Sequence, residues 1–254
     1  MNRCAQWHGD IICLIIFFVS ITIRLVKMVF EPLILRDAAF FLKAAEIWNK
    51  TGDYQELPKE FVGVPPLPLW CIKTLMSFCG SSEIAGRSIS IFLGGLISVV
   101  GFILAREITH NIRISLIVAL CCILHPILVA YSIQPLRENY FILLIGILLI
   151  VMVRNYRNPK TLGWIVCGAI VGIAVCCRHE ALEFLFVVAA EIAVLELKWK
   201  TIVTFLKSIS LFFLAFALMF LLVLSCTNGE HTSVYRLKIY YDKATTDYNS
   251  VLIE

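Results

Sequence analysis

The chain has 254 residues, 60% of them hydrophobic and only 16% charged, with a net charge of +4. A soluble domain carries about a quarter charged residues, so this composition, with a mean hydropathy of +0.88, excludes a water-soluble globule and defines a membrane protein. With so few charges, the small positive balance reflects asymmetry between loops rather than a surface for nucleic acid.

The apolar residues gather into seven runs near the roughly 20 residues that cross a bilayer as a helix. They cover 11–30, 84–105, 114–132, 140–153, 162–177, 181–197 and 202–226, several of them short for a full crossing. The first run follows Arg3 as a signal peptide would, but no small-x-small cleavage site follows and the run continues past Arg24 and Lys27. A retained first span is therefore expected, with Arg24 and Lys27 reaching phosphate headgroups. Most of the ten cysteines, including Cys121, Cys122, Cys167, Cys176 and Cys177, lie inside apolar runs and no CxxC occurs, so they read as small packing residues.

Alternate connections are basic: Arg106 and Arg113 flank one, Arg154, Arg157 and Lys160 lie in the next, and Lys198 and Lys200 in the third. The positive-inside rule assigns these, and the N-terminus, to the cytoplasm. The other side receives the long loop 31–83, the turns "IQPLREN" and "CCRHEAL", and a tail from Thr227. The expected division is a membrane module over 1–226 and a short outward tail over 227–254, either an ending or a truncation of something longer. The loop and both turns carry acid and base together at a depth where unpaired charge is costly.

In the first loop, Arg36 and Asp37 precede a helix predicted over 37–50. At 3.6 residues per turn Lys43, Glu46 and Lys50 share one side, while Asp37, Phe41, Ala44 and Trp48 share the apolar stripe. Such a helix lies in the membrane interface. Asp37 is then either its N-cap or a carboxylate directed into a cavity between helix and spans. "GVPPLPLW" sets a rigid turn, Trp70 suits an interfacial anchor, and 67–78 makes a second short amphipathic or re-entrant helix.

An acid after the first span, an interfacial helix, a Pro-Pro-Leu turn and "GSSEIAGRSISIFLGG…LAREI" together resemble the GT-C glycosyltransferases. The likeness is to protein O-mannosyltransferases and lipid A aminoarabinose transferases, and it continues in "HPILVAYSIQPLREN" and "GIAVCCRHEALEFL". The resemblance implies an all-α polytopic fold of about seven transmembrane helices with interfacial helices in the first outward loop. It also implies an outward-facing, inverting enzyme of the cell membrane that takes a sugar from a polyprenyl-phosphate carrier. The family acid falls on Asp37, which would act as general base on the acceptor or position it. The family often has Asp-Glu here, and this chain has Ala38 instead.

Glu138, beside Arg137, is either half of a surface ion pair or a second catalytic carboxylate that orients the acceptor or a divalent cation. Arg178 is either a snorkelling interfacial residue or a fork of donors for the carrier phosphate. Arg36, Arg137, Arg178 and His179 make up the expected substrate-binding set. His179 has no second histidine at ligand spacing, and Glu183 and Glu191, in or near the sixth run, receive no role. Two other classes compete: a transporter or flippase of lipid-linked substrates, which would set charges at the membrane midplane, and a non-catalytic GT-C-like subunit.

Overall fold

The computed structural model describes residues 3–226 except 55, 59–60, 62–63 and 200, and every regular element among them is helical. The tail 227–254 lies outside the described residues, as do the side chains of Lys198 and Lys200. In chain order the α-helices are α1 (Arg3–Phe30), α2 (Arg36–Thr51), α3 (Pro66–Cys79), α4 (Ser82–Thr109) and α5 (Ile112–Leu124). They continue with α6 (Pro126–Ser132), α7 (Arg137–Arg157), α8 (Thr161–Val175), α9 (Glu183–Trp199) and α10 (Ile202–Cys226). A 3-10 turn, His179–Leu182, joins α8 to α9.

Among the described residues, four helices are long and apolar enough to cross a membrane, lying over Gly9–Phe30, Ser82–Thr109, Arg137–Arg157 and Ile202–Val223. The third apolar run, expected to be continuous, is broken: α5 and α6 meet at 57° and give a fifth span only as a pair. Pro126 causes the break, since it lacks an N–H and disfavours a helical residue before it. His125 is accordingly extended (φ −60, ψ 117), and its Nδ1 accepts from the Leu128 N–H at 3.4 Å. α8 is apolar but shorter than a span.

Both helices expected in the first loop are present. The apolar face of α2 is buried, with Phe41, Ala44, Ala45 and Trp48 packed against Leu69 and Ile72 of α3 and Ala85 of α4. α3 starts on Pro66, whose missing N–H costs nothing in a first turn. Both helices stop on glycines in the left-handed region, Gly52 (φ 83) and Gly80 (φ 72), where a side chain would be strained.

One end of the bundle gathers the first two basic connections. Arg154 (2.6 Å) and Arg157 (3.7 Å) both pair with Glu107, and the Arg106 guanidinium lies beside Gly9 near the start of α1. The other end carries the start of α2, the start of α7 and the turn after α8.

Small residues set the closest helix contacts. Gly168 of α8 meets Phe212 and Ala215 of α10, and Gly172 meets Phe216 and Met219, so the two helices run in the same direction with their backbones touching. A Cβ at Gly168 would collide with the Phe212 carbonyl oxygen, which is backbone and cannot rotate away. Gly168→Leu should lower the melting temperature in detergent sharply, consistent with overpacking costs of about 1–3 kcal/mol or more. Gly163→Leu probes a different neighbour, the Asn155 side chain, and so separates the two contacts. Near the same helices Glu196, fully buried, accepts from Trp164 Nε1 (2.9 Å) and Ser208 Oγ (3.3 Å).

Arg24 does not reach headgroups. It is fully buried, crosses over Gly94 of α4 where any Cβ would collide with it, and donates from Nε to Ser132 Oγ of α6 at 2.6 Å. Its Nη1 bonds Ser20, whose hydroxyl also meets Ser98 at 2.9 Å. The absence of a side chain at Gly94 lets the guanidinium turn inward. Lys27 does sit at the rim, half exposed and paired with Glu31.

Candidate active site

α7 begins at Arg137 because Leu136, just after Pro135, is in extended backbone, so Glu138 falls in the first turn, where a helix N-terminus favours negative charge. α8 ends at Val175, and Arg178 follows in extended conformation (φ −150, ψ 133), which turns its side chain back over the bundle end. There the guanidinium meets Glu180 as a two-point fork, Nη2 to Oε1 at 2.8 Å and Nε to Oε2 at 3.3 Å. Its third edge, Nη1, donates to Glu138 Oε1 at 3.5 Å, and Arg137 Nε lies 3.5 Å from that same oxygen. The face of Phe141 lies 5.4 Å below the guanidinium carbon. His179 Nδ1 is 3.4 Å from Glu180 Oε2.

Four of the six residues singled out from the sequence thus converge: Arg137, Glu138, Arg178 and His179, with Glu180 as the residue that organises them. The side chains of Arg137, Glu138 and Arg178 are 23%, 24% and 26% exposed, so the cluster is half sunk into the protein and open on one side. The hydrogen bond from Arg178 holds the Glu180 carboxyl down to about 2, and the same bond raises the Arg178 guanidinium above its ordinary value. Glu138 is more than half of a local surface pair, because two guanidinium groups from separate elements share its oxygen. An anion entering this cluster meets two fixed cations but must compete with carboxylates already in place.

Asp37 and Arg36 do not join the cluster by side-chain contact. Both are exposed in the first turn of α2, without a hydrogen bond or ion pair among the described residues. The cap position belongs to Leu35, so Asp37 is not the N-cap, and its carboxylate stands at the open end of the apolar stripe rather than inside an enclosed cavity. The stripe itself is as read: Phe41, Ala44 and Trp48 are buried. Ala38, where the family often has a second acid, is fully buried.

Sequence reasoning missed Gln134, quoted within "IQPLREN" but assigned nothing. Its side chain ties the start of α2 to this end of the bundle, donating from Nε2 to Leu33 O (2.9 Å) and accepting at Oε1 from Leu35 N–H (3.1 Å). The available signal was a lone amide between apolar residues and a proline, in a turn too short to need a polar side chain.

A divalent cation does not fit the observed donors. Among the described residues no group of three His, Cys, Asp or Glu side chains is placed to hold a metal ion, and Arg178 already lies against both Glu138 and Glu180.

A helical bundle with apolar crossings and a charged cluster at one end is a polytopic membrane protein with a polar site at the membrane surface. Residues 63–225 match the family described as dolichyl-phosphate-mannose-protein mannosyltransferase, and the chain belongs to that family. The resemblance read from the motifs is thereby borne out. The matched segment contains Arg137, Glu138, Arg178 and His179, whereas Arg36 and Asp37 precede it. No curated protein matches the chain.

Proposed function

We propose that the chain is a membrane glycosyltransferase that moves a sugar from a polyprenyl-phosphate-linked donor to a hydroxyl of a protein, lipid or glycan acceptor on the outer face of the cell membrane. Membership of the mannosyltransferase family carries this reading, and the convergence of Arg137, Glu138 and Arg178 within the matched segment supports it. All seven apolar runs act as crossings, with the N-terminus in the cytoplasm.

In the proposed reaction the bond between the anomeric carbon and the phosphate oxygen breaks, and its electron pair leaves with the polyprenyl phosphate. The acceptor oxygen bonds to the same carbon from the opposite face, inverting its configuration. Asp37 takes the hydroxyl proton as general base. Arg178 and Arg137 face the departing phosphate, Arg137 being the less committed, with one ion pair at 3.5 Å among the described residues. Glu138 orients the acceptor, while Glu180 keeps Arg178 in place and His179 lines the same edge. Arg36, next to the base, attracts the anionic donor.

The test is transfer by purified protein in lipid nanodiscs from a labelled polyprenyl-phosphate sugar, with release of polyprenyl phosphate as the readout. Release with a glycosylated acceptor is expected. Movement of intact donor between leaflets without bond breaking would establish the transporter reading, and absence of both would leave a non-catalytic subunit. The buried charges Arg24 and Glu196 do not favour transport, because each bonds polar groups of neighbouring helices.

Orientation has its own check, in a background with the exposed Cys79 and Cys121 replaced by serine. A thiol at exposed Asn49 should react with an impermeant reagent applied outside, and one at Tyr156, 64% exposed at the opposite end, should not. Asn155 is unsuitable because it is buried against Gly163. The reverse labelling pattern would put the charged cluster in the cytoplasm and end the proposed mechanism.

A further inference from the structure

The segment between α1 and α2, residues 31–35, has no regular structure, yet side chains from distant elements hold its backbone. Arg87 of α4 donates from Nη2 to Pro32 O at 2.5 Å while its Nε pairs with Glu83 at 2.9 Å. Gln134 takes two further backbone groups, Leu33 O and Leu35 N–H. Only one orientation of the amide satisfies both partners, since the flipped one would set donor against donor.

Gln134 is itself fixed from behind. It is 4% exposed, its N–H donates to Tyr131 O at 3.1 Å, and its carbonyl accepts from Leu136 N–H at 2.8 Å and Asn139 Nδ2 at 3.2 Å. Asn139 Nδ2 also donates to Tyr131 O at 3.0 Å, and Arg24 holds Ser132 two residues upstream. A buried side chain with every polar group paired in one geometry transmits position rather than absorbing motion.

Asp37 lies two residues beyond Leu35, and Glu138 lies four beyond Gln134. The amide therefore ties the segment leading into Asp37 to the turn leading into Glu138, two stretches that the chain separates by about a hundred residues. We propose that Gln134 is a positioning residue that holds the start of α2, and so the Asp37 carboxylate, in register with the Glu138 and Arg178 cluster. Its catalytic consequence rests on Asp37 being the base of the proposed transfer; the clasp itself does not.

Hydrogen exchange in nanodiscs decides the clasp without any assay of transfer. In the wild type the Leu35 amide should be protected although it precedes the helix, and free exchange there would overturn the proposal. Gln134→Met, of similar length but without the amide, should speed exchange at Leu35 roughly tenfold or more while α7 exchanges as before. Gln134→Glu keeps the acceptor for Leu35 but turns repulsive toward Leu33 O, so it should loosen the segment too. Unchanged exchange in both variants would overturn the clasp.

Kinetics then decide the positioning role. Gln134→Met should lower kcat about tenfold or more while the donor KM changes by much less, because Arg137 and Arg178 are untouched and only Arg36 of the donor-facing residues moves with α2. A weaker donor KM at unchanged kcat would overturn it. A wild-type chain with no transfer would overturn the proposed function and the positioning role together, while the exchange result would still decide the clasp.

Discussion

Asp37→Asn should insert, fold and melt like the wild type while sugar transfer falls by roughly a hundredfold or more, the factor typical of a lost general base. The substitution is clean because nothing structural depends on the carboxylate. The cap position is Leu35, Asp37 has no side-chain partner among the described residues, and it is exposed, so no packing and no hydrogen bond is lost. The remaining cost is one negative charge at a helix N-terminus, worth about 0.3–1 kcal/mol. Asparagine has nearly the same shape, so the acceptor can still be positioned and only the basicity disappears. Single-turnover transfer with bound donor measures the chemical step directly. Wild-type turnover in this variant would leave Asp37 as a helix-end charge and move the search for a base to Glu138.

Arg178→Ala should weaken donor binding by about a hundredfold, and Arg178→Lys by about tenfold, because lysine keeps the charge but cannot form a planar fork. Among the described residues, the alanine variant also leaves Glu138 paired with Arg137 and Glu180 with His179 beside it. Binding of polyprenyl phosphate in nanodiscs checks the first effect, and wild-type affinity in both variants would make Arg178 purely structural. The second effect has a pH signature. Glu180 has a lowered carboxyl in the folded wild type, so its pairing contributes fully above about pH 4.5 and is lost as pH falls through about 2. In Arg178→Ala the Glu180 carboxylate band in the infrared should disappear nearer pH 4.5, and in the wild type it should persist at pH 3.5.

The parts of this fold that were legible in the sequence are those governed by periodicity and punctuation. The helix carrying Asp37 shows its stripe in the spacing of Phe41, Ala44 and Trp48, and Pro66 and Gly80 bound α3 as their backbone constraints require. The meeting of Glu138 and Arg178 could be anticipated because alternating loop charge put both on one side. Contacts made sideways through the bundle were not legible. Arg24 looks like any rim cation until Gly94 is seen beneath it, and Gln134 becomes meaningful only when Leu33 and Leu35 are known to lie against it. The same holds for Glu180, whose fork with Arg178 depends on an extended residue that the sequence does not announce. The continuous third span failed for a local reason that was readable, Pro126 in mid-run.

The glycine contact between α8 and α10 has a consequence for biosynthesis. α8 has 15 residues, about 22 Å of helix, against a hydrocarbon core of about 30 Å. It leaves the ribosome well before the helix whose backbone fits against Gly168 and Gly172. A helix this short falls short of a full crossing, and its closest backbone contact forms only when α10 arrives. A nascent chain stopped before residue 202 lacks the backbone surface that meets Gly168 and Gly172, on the helix that leads to Arg178.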